Sequence, residues 1–379
     1  MAFPERVNLY SKVEKIRERP LIAFITSIRP NAMGIMASDM IPFFIKQIQA
    51  IPSDKREVDV LIISNGGDPT VAWRIMSLLR ERFDKVGVLV PYAAYSAATL
   101  LALGADEIYM HPYGNLGPVD PQLTSRKQGE KDQPGSTISF SAEDLKHYLD
   151  FVKNDVGISD QEQLEKAFEF ICKDIGAIPI GISKKSTNLS YSMGEKLLKL
   201  HMADQNKVHI IIEKLNSSFY HHGYPVGRKE AIEIGLQIAP LNPELDQVIW
   251  QIWEDFEEEM VCNTSYNPLE VVLKSSEKAK LLADVPQLNI PANIPPQLSQ
   301  AVIQQTIQML VKQINIEMIK PIESKLIIAK LESSRCRSEC VIVEKILATR
   351  LIDTNIRLNF IPLSHGWTHY EEIMHELSS

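Results

Sequence analysis

Along the first third of the chain, short unbroken apolar runs alternate with longer segments whose apolar positions recur every three or four residues. Residues 20–28 (PLIAFITSI), 58–64 (VDVLIIS) and 85–91 (KVGVLVP) are continuous and rich in β-branched residues. A strand covered on both faces loses its in-and-out alternation, so these runs predict buried strands. Between them, residues 40–51, 69–83 and 95–105 predict helices, the second opened by Pro69, and 106–110 (DEIYM) predicts one more short strand. Such a succession of βα units builds an α/β fold around a largely parallel sheet.

After a polar, glycine-containing stretch at 126–136, which predicts a surface loop, the pattern becomes helical. Helices are expected over 141–154, 159–175, 228–236 and 244–260, and one long helix over 193–219. The acidic helix at 244–260 carries Ile249, Trp250, Ile252, Trp253 and Phe256. These five lie within about two turns, more apolar surface than one face hides against a single core, so a second copy of the chain is expected to cover it. Residues 284–297 hold four prolines and no helical period, predicting a linker or extended crossing. Beyond it, 299–319 predicts a helix, and 325–333, 340–350 and 355–363 predict strands of a small antiparallel sheet. The expected division is therefore a main domain over 1–260 with a helical insertion, a Pro-rich linker over 261–297, and a small α+β unit over 298–379.

Composition narrows the functional classes. With 379 residues, 45% of them hydrophobic, the chain has material for a sizeable core. A net charge of −8 offers no basic stripe for a phosphate backbone, so nucleic acid is not an expected partner. No apolar run approaches the roughly 20 residues that span a bilayer, and the opening segment is charged, which predicts a cytoplasmic protein without a membrane span. Cys172, Cys262, Cys336 and Cys340 are too scattered for a disulfide framework. Cys336 and Cys340, in CRSEC, have no second ligand pair nearby and read as reduced thiols, so neither a metal nor a cofactor is expected.

Two strand ends carry unusual chemistry. In SNGGDP, Gly66 and Gly67 lack a Cβ, which frees the backbone to take positive φ and to turn amide N–H groups toward an incoming carbonyl. One βα unit later, Ser96 sits where a strand turns into the small-residue helix that starts with Ala97, Ala98 and Thr99, so the Ala97 amide points the same way as the helix N-terminus. Alone, a GG pair is an ordinary turn and a serine at a helix start is an ordinary N-cap. In consecutive βα units they form a nucleophile with an oxyanion cradle of Gly66, Gly67 and Ala97.

The order of a GG loop, a serine opening the next helix and then ALGADEIYM (residues 102–110) resembles the Clp and signal-peptide-peptidase superfamily. With GNLGPVDPQL (114–123) and HHGYPVGRKEAIEIGL (221–236), residues 55–240 are similar to the serine dehydrogenase proteinase family. The resemblance implies a Clp/crotonase-like fold of repeated ββα/βα units, peptide or protein substrates, homo-oligomeric rings or stacks, and a Ser/Asp/His triad. In this chain the triad positions are Ser96, Asp120 and His222. Two departures stand out: Ala97 and Ala98 replace the glycines common after the nucleophile, and the membrane-spanning N-terminus of many members is missing.

A serine hydroxyl needs a base within hydrogen-bond reach, itself held by a third group. His222, before Tyr224 and Pro225, fits the base, with His221 its nearest rival, and Asp120 is held between two prolines. His111, at the end of a predicted strand, reads as structural. A Ser/Lys dyad is the alternative mechanism, with Lys146, Lys184 or Lys185 as base; Lys146 lies in an amphipathic helix and the KK pair in a solvated turn. A non-catalytic assembly protein and a crotonase-like acyl-CoA enzyme are the readings from other classes.

Overall fold

The computed structural model describes residues 3–126, 137–217, 221–274, 283–284, 305, 322–352 and 355–370. The apolar runs become β1 (Leu21–Thr26), β2 (Glu57–Ile63), β3 (Lys85–Val90) and β5 (Glu107–Met110), with the two-residue β4 (Ala93–Ala94) between the last two. All of β1 and all but the first residue of β2 and β3 are buried. β1–β2, β2–β3 and β3–β5 pair in parallel, with Ile22 opposite Val60 and Val60 opposite Val88.

Successive strand residues point to opposite faces and so feed two cores. On one face Ile22, Phe24, Val60, Ile62 and Val88 pack against α2 (Ile41–Gln49), α3 (Pro69–Arg82), α4 (Ala97–Leu103), α7 (Ala177–Leu198) and α8 (Gln205–Ser217). On the other, Leu21, Ala23, Ile25, Leu61 and Leu89 pack against α1 (Phe3–Arg17) and α10 (Pro243–Glu259). Between these helices lie α5 (Ala142–Asp150), α6 (Gln161–Ile175) and α9 (Arg228–Ile234), and α11 (Pro268–Leu273) follows α10. Local chemistry sets the helix starts. Asp68 accepts the Thr70 N–H ahead of Pro69 in α3, and Asn242 accepts the Glu244 and Leu245 N–H groups ahead of Pro243 in α10.

Three features differ from the sequence reading. Residues 3–17, read only as a charged opening, form α1, whose Val7, Tyr10 and Val13 recur at helical spacing beneath the charges. The single helix expected over 193–219 is two helices: the chain turns at 199–204, and Asp204 restarts it by accepting the Asn206 and Lys207 N–H groups at 3.0 and 3.1 Å. The apolar face of α10 is covered inside the chain, with Trp253 and Phe256 buried against α1 and the sheet, so this helix gives no reason for a second subunit.

Smaller strands are β6 (Asn115–Leu116), β7 (Leu123–Arg126), β8 (Thr137–Phe140), β9 (Val226–Gly227) and β10 (Ala283–Asp284). The C-terminal strands β11 (Ile322–Glu332), β12 (Arg337–Ile352) and β13 (Asn355–Tyr370) pair antiparallel with one another, as expected. They also continue the main sheet, because β11 pairs antiparallel with β1, Ala23 opposite Glu332. The strand order is β10-β12-β11-β1-β2-β3-β5, with β13 on β12. An open β1 edge would present unpaired backbone groups, and β11 satisfies them. The surface loop expected at 126–136 falls almost wholly outside the described residues, as do the helix at 299–319 and nearly all of the Pro-rich crossing at 284–297.

Candidate active site

Three short strands organise the site. β4 pairs in parallel with β6, β6 pairs antiparallel with β9, and Ala94, Leu116 and Val226 share one level. The chain leaves this small sheet after Ala94 and after Leu116 at the same end at which it enters before Val226. Ser96 follows β4, Asp120 follows β6 and His222 precedes β9, so all three sit on segments at that end. A further bridge sets Ser64 beside Ala94, which brings the glycine loop alongside.

Ser96 stands at the N-cap position of α4 with φ 54° and ψ −118°, and its side chain makes no capping hydrogen bond. A positive φ in a residue with a Cβ is strained, so the surroundings must hold it there. Its hydroxyl is not spent on the role that an ordinary serine at a helix start performs. Gly66 explains part of the geometry. At φ 96°, a Cβ on it would come within 2.8 Å of both Ser96 Cβ and Ala97 N. Gly67, at φ 153°, is crowded in the same way by the Met36 backbone, where a Cβ would meet O at 2.3 Å.

Of the three amides expected to hold an oxyanion, that of Gly66 is already engaged, donating to Ser64 Oγ at 3.0 Å. The amides of Gly67 and Ala97 donate to no other group among the described residues. The loop is braced from behind: Met36 N–H donates to Gly66 O at 2.8 Å, and Asp68 N–H to Met36 O at 2.9 Å.

His222 and Asp120 meet, with Nδ1 2.9 Å from Oδ1. The Asp120 side chain is 12% exposed and that of His222 35%, so the imidazole is open on one side while the carboxylate is shielded from water. Asp120 also accepts from Gln122 Nε2 at 3.0 Å. Its segment is fixed at Val119, whose N–H donates to Leu215 O at 2.9 Å and whose carbonyl accepts from Ser190 Oγ. His221 turns instead to its own loop and accepts the Gly223 N–H at 3.0 Å. His111 stacks on Trp250 at 4.8 Å and accepts the Tyr113 N–H, a packing role, and burial lowers its pKa.

The lysines considered as bases are exposed. Lys146 faces Glu143 on α5, and Lys184 and Lys185, expected in a turn, lie within α7. The sequence reading missed Thr99. Its Oγ1 lies 2.7 Å from Ala94 O and 3.0 Å from Gly117 O, and it accepts the Gly117 N–H at 3.0 Å. It thereby ties the Ser96 strand to the Asp120 segment. Its place three residues into α4, where a small β-branched residue interrupts alanines and leucines, was the available signal.

Residues 12–129 match the family model of the ClpP-like SDH-type serine proteinases. Among curated proteins, the uncharacterized protein MJ1495 of Methanocaldococcus jannaschii is 26% identical over 284 residues, 72% of this chain and 85% of its own length. A second from that organism, MJ0137, is 29% identical over 257 residues, 66% of this chain and 78% of its own. Among solved structures, a serine-to-alanine variant of the 1510-N membrane-bound stomatin-specific protease aligns at a TM-score of 0.36 and 16% identity, covering 61% of this chain and 84% of that one. A lysine-to-alanine variant of that protease in complex with a substrate peptide aligns at 0.35 and 16%, covering 60% and 78%. No helix among the described residues is long and apolar enough to cross a membrane. The matched span, residues 12–129, holds the glycine loop, Ser96 and Asp120, and over it the chain is similar to the ClpP-like SDH-type serine proteinases.

Proposed function

We propose that the protein hydrolyses peptide bonds through an acyl-enzyme on Ser96, with His222 as general base and Asp120 as the group that orients it. The observation that carries this reading is the 2.9 Å contact of His222 Nδ1 with Asp120 Oδ1, at the same end of the β4–β6–β9 sheet as the strained Ser96. A carboxylate can only accept here, so Nδ1 carries the proton and Nε2 is left with a lone pair. That lone pair takes the Ser96 hydroxyl proton as Oγ adds to the carbonyl carbon, and the imidazolium returns it to the leaving amine. Water then repeats the sequence on the acyl ester. Gly67 and Ala97 N–H groups hold the oxyanion, each such donor contributing about 3 kcal/mol to the transition state. Gly66 serves by its missing side chain.

A fluorophosphonate probe and a peptide substrate test the assignment. Ser96→Ala is expected to abolish labelling. His222→Ala and Asp120→Asn are expected to lower kcat by about 10³-fold or more, with His221→Ala near wild type. Unchanged labelling of the Ser96 variant removes the nucleophile from this reading. Turnover that survives in His222→Ala but disappears on substituting Lys146, Lys184 or Lys185 replaces the triad with a Ser/Lys dyad.

A further inference from the structure

Away from this site, the C-terminal hairpin meets the start of α2 through an unusual set of side chains. In the β12–β13 register Cys340 lies opposite Trp367, and Ile342 opposite His365. Residues two apart on a strand share a face, so Cys340 and His365 are diagonal neighbours on one surface. Cys340 Sγ is 3.8 Å from His365 Nε2. The short turn Ser38–Met40 ahead of α2 brings Asp39 to the same point, and one ligand atom from each of Asp39, Cys340 and His365 lies within 4.8 Å of the others. Trp367 holds the carboxylate from one side, Nε1–H donating to Asp39 Oδ2 at 3.1 Å, while its ring stacks on Phe43 of α2 at 5.1 Å.

We propose that Asp39, Cys340 and His365 form a binding site for a zinc-class divalent cation that clamps the β12–β13 hairpin to the start of α2. Sulfur, imidazole nitrogen and carboxylate oxygen are the donors zinc accepts, at bond lengths of about 2.0–2.3 Å. Tetrahedral geometry with such bonds puts ligand atoms about 3.3–3.8 Å apart. The Cys340–His365 separation is already in that range. Asp39 and His365 are exposed, which leaves their side chains room to turn toward the sulfur. On binding, the sulfur–metal bond replaces the S–H bond and the thiol proton passes to solvent. Thiolate and carboxylate then balance the dication, and the fourth position is left to water. The donor hydrogen bond from Trp367 orients the carboxylate as outer partners of metal ligands do.

The site also lies close in the chain to the segment that braces the glycine loop. Asp39 is three residues from Met36, whose N–H and carbonyl brace Gly66 and Asp68. A cation here restrains the segment behind the loop without touching Ser96, His222 or Asp120.

Metal-stripped full-length protein titrated with cobalt(II), then with zinc as competitor, provides the test. A thiolate-to-cobalt charge-transfer band saturating at one ion per chain, and a thermal midpoint raised by zinc, are expected. Cys340→Ser is expected to abolish the band. Asp39→Asn and His365→Ala, both at exposed positions, are expected to weaken binding about 100-fold, and Trp367→Phe about tenfold. Cys336→Ser is expected to leave affinity unchanged. Absence of the band in the wild type overturns the proposal, as does a band that survives in Cys340→Ser or wild-type affinity in both Asp39→Asn and His365→Ala.

Discussion

Ser96 is one of four non-glycine residues with positive φ among the described residues, and the one at a helix start beside a glycine whose missing Cβ makes room for it. Holding a residue in such a conformation costs about 1–3 kcal/mol, and a Cβ is the source of the strain. Ser96→Ala keeps the Cβ and is expected to leave stability close to wild type. Ser96→Gly removes it and is expected to raise stability by about 1 kcal/mol, after the greater chain entropy that glycine loses on folding. Urea denaturation of the two variants checks this; equal midpoints would mean that the backbone at Ser96 is relaxed. At this scale the meeting of Asp120 with His222 was legible. Ser96, Gly66, Gly67, Asp120 and His222 each stood in a short motif whose chemistry is local. The engagement of the Gly66 amide was not, because it depends on that N–H turning back two residues to Ser64 Oγ.

The long strands were readable because short continuous runs of Val, Ile and Leu between helical segments fit a strand covered on both faces. The two-residue strands β4, β6 and β9 were not, since two residues carry no period, yet they gather the candidate site. The break between α7 and α8 was hidden in the same way, because apolar spacing persists on both sides of it. That break holds His201, whose Nε2 donates to Leu103 O at the end of α4 at 2.9 Å, while its buried Nδ1 has no partner among the described residues. Burial lowers the His201 pKa, the nearby Arg80 adds to this, and Leu103 O and Asp106 oppose it. The unfolded imidazole, titrating near ~6.5, therefore binds protons more readily than the folded one. Stability is fully present above the unfolded value and is lost as pH falls through the folded one. His201→Asn retains a donor for Leu103 O but does not titrate. Urea midpoints at about pH 7 and about pH 5 are expected to differ less in this variant than in the wild type. An equal difference in both proteins would show that His201 does not contribute to the acid sensitivity.

Across the whole molecule, the least legible feature was the pairing of β1 with β11, because nothing local in either strand names a partner some three hundred residues away. The structure supplies a second link between these chain ends. Arg6 of α1 is fully buried and forms ion pairs with Asp255 and Glu259 of α10 and with Glu332 of β11, the last at 2.8 Å. Tyr10 donates to the same Glu332 oxygen at 2.8 Å, and Lys330 pairs with Glu259 and Glu332. One guanidinium fork thus joins the first helix, the helix that covers the sheet and the C-terminal hairpin. Its removal leaves carboxylates buried beside one another, with Lys330 as the remaining cation of the group. Breaking such a group by deleting one partner costs about 3–5 kcal/mol, far more than the intact group contributes beyond an apolar replacement. Arg6→Met is expected to lose stability in that range, and adding Glu332→Gln is expected to restore part of it, because the two substitutions act on one interaction. Chemical denaturation of the single and double variants decides the point. A double variant less stable by the sum of the two single losses would mean that α1 and β11 are held together by their apolar contacts alone.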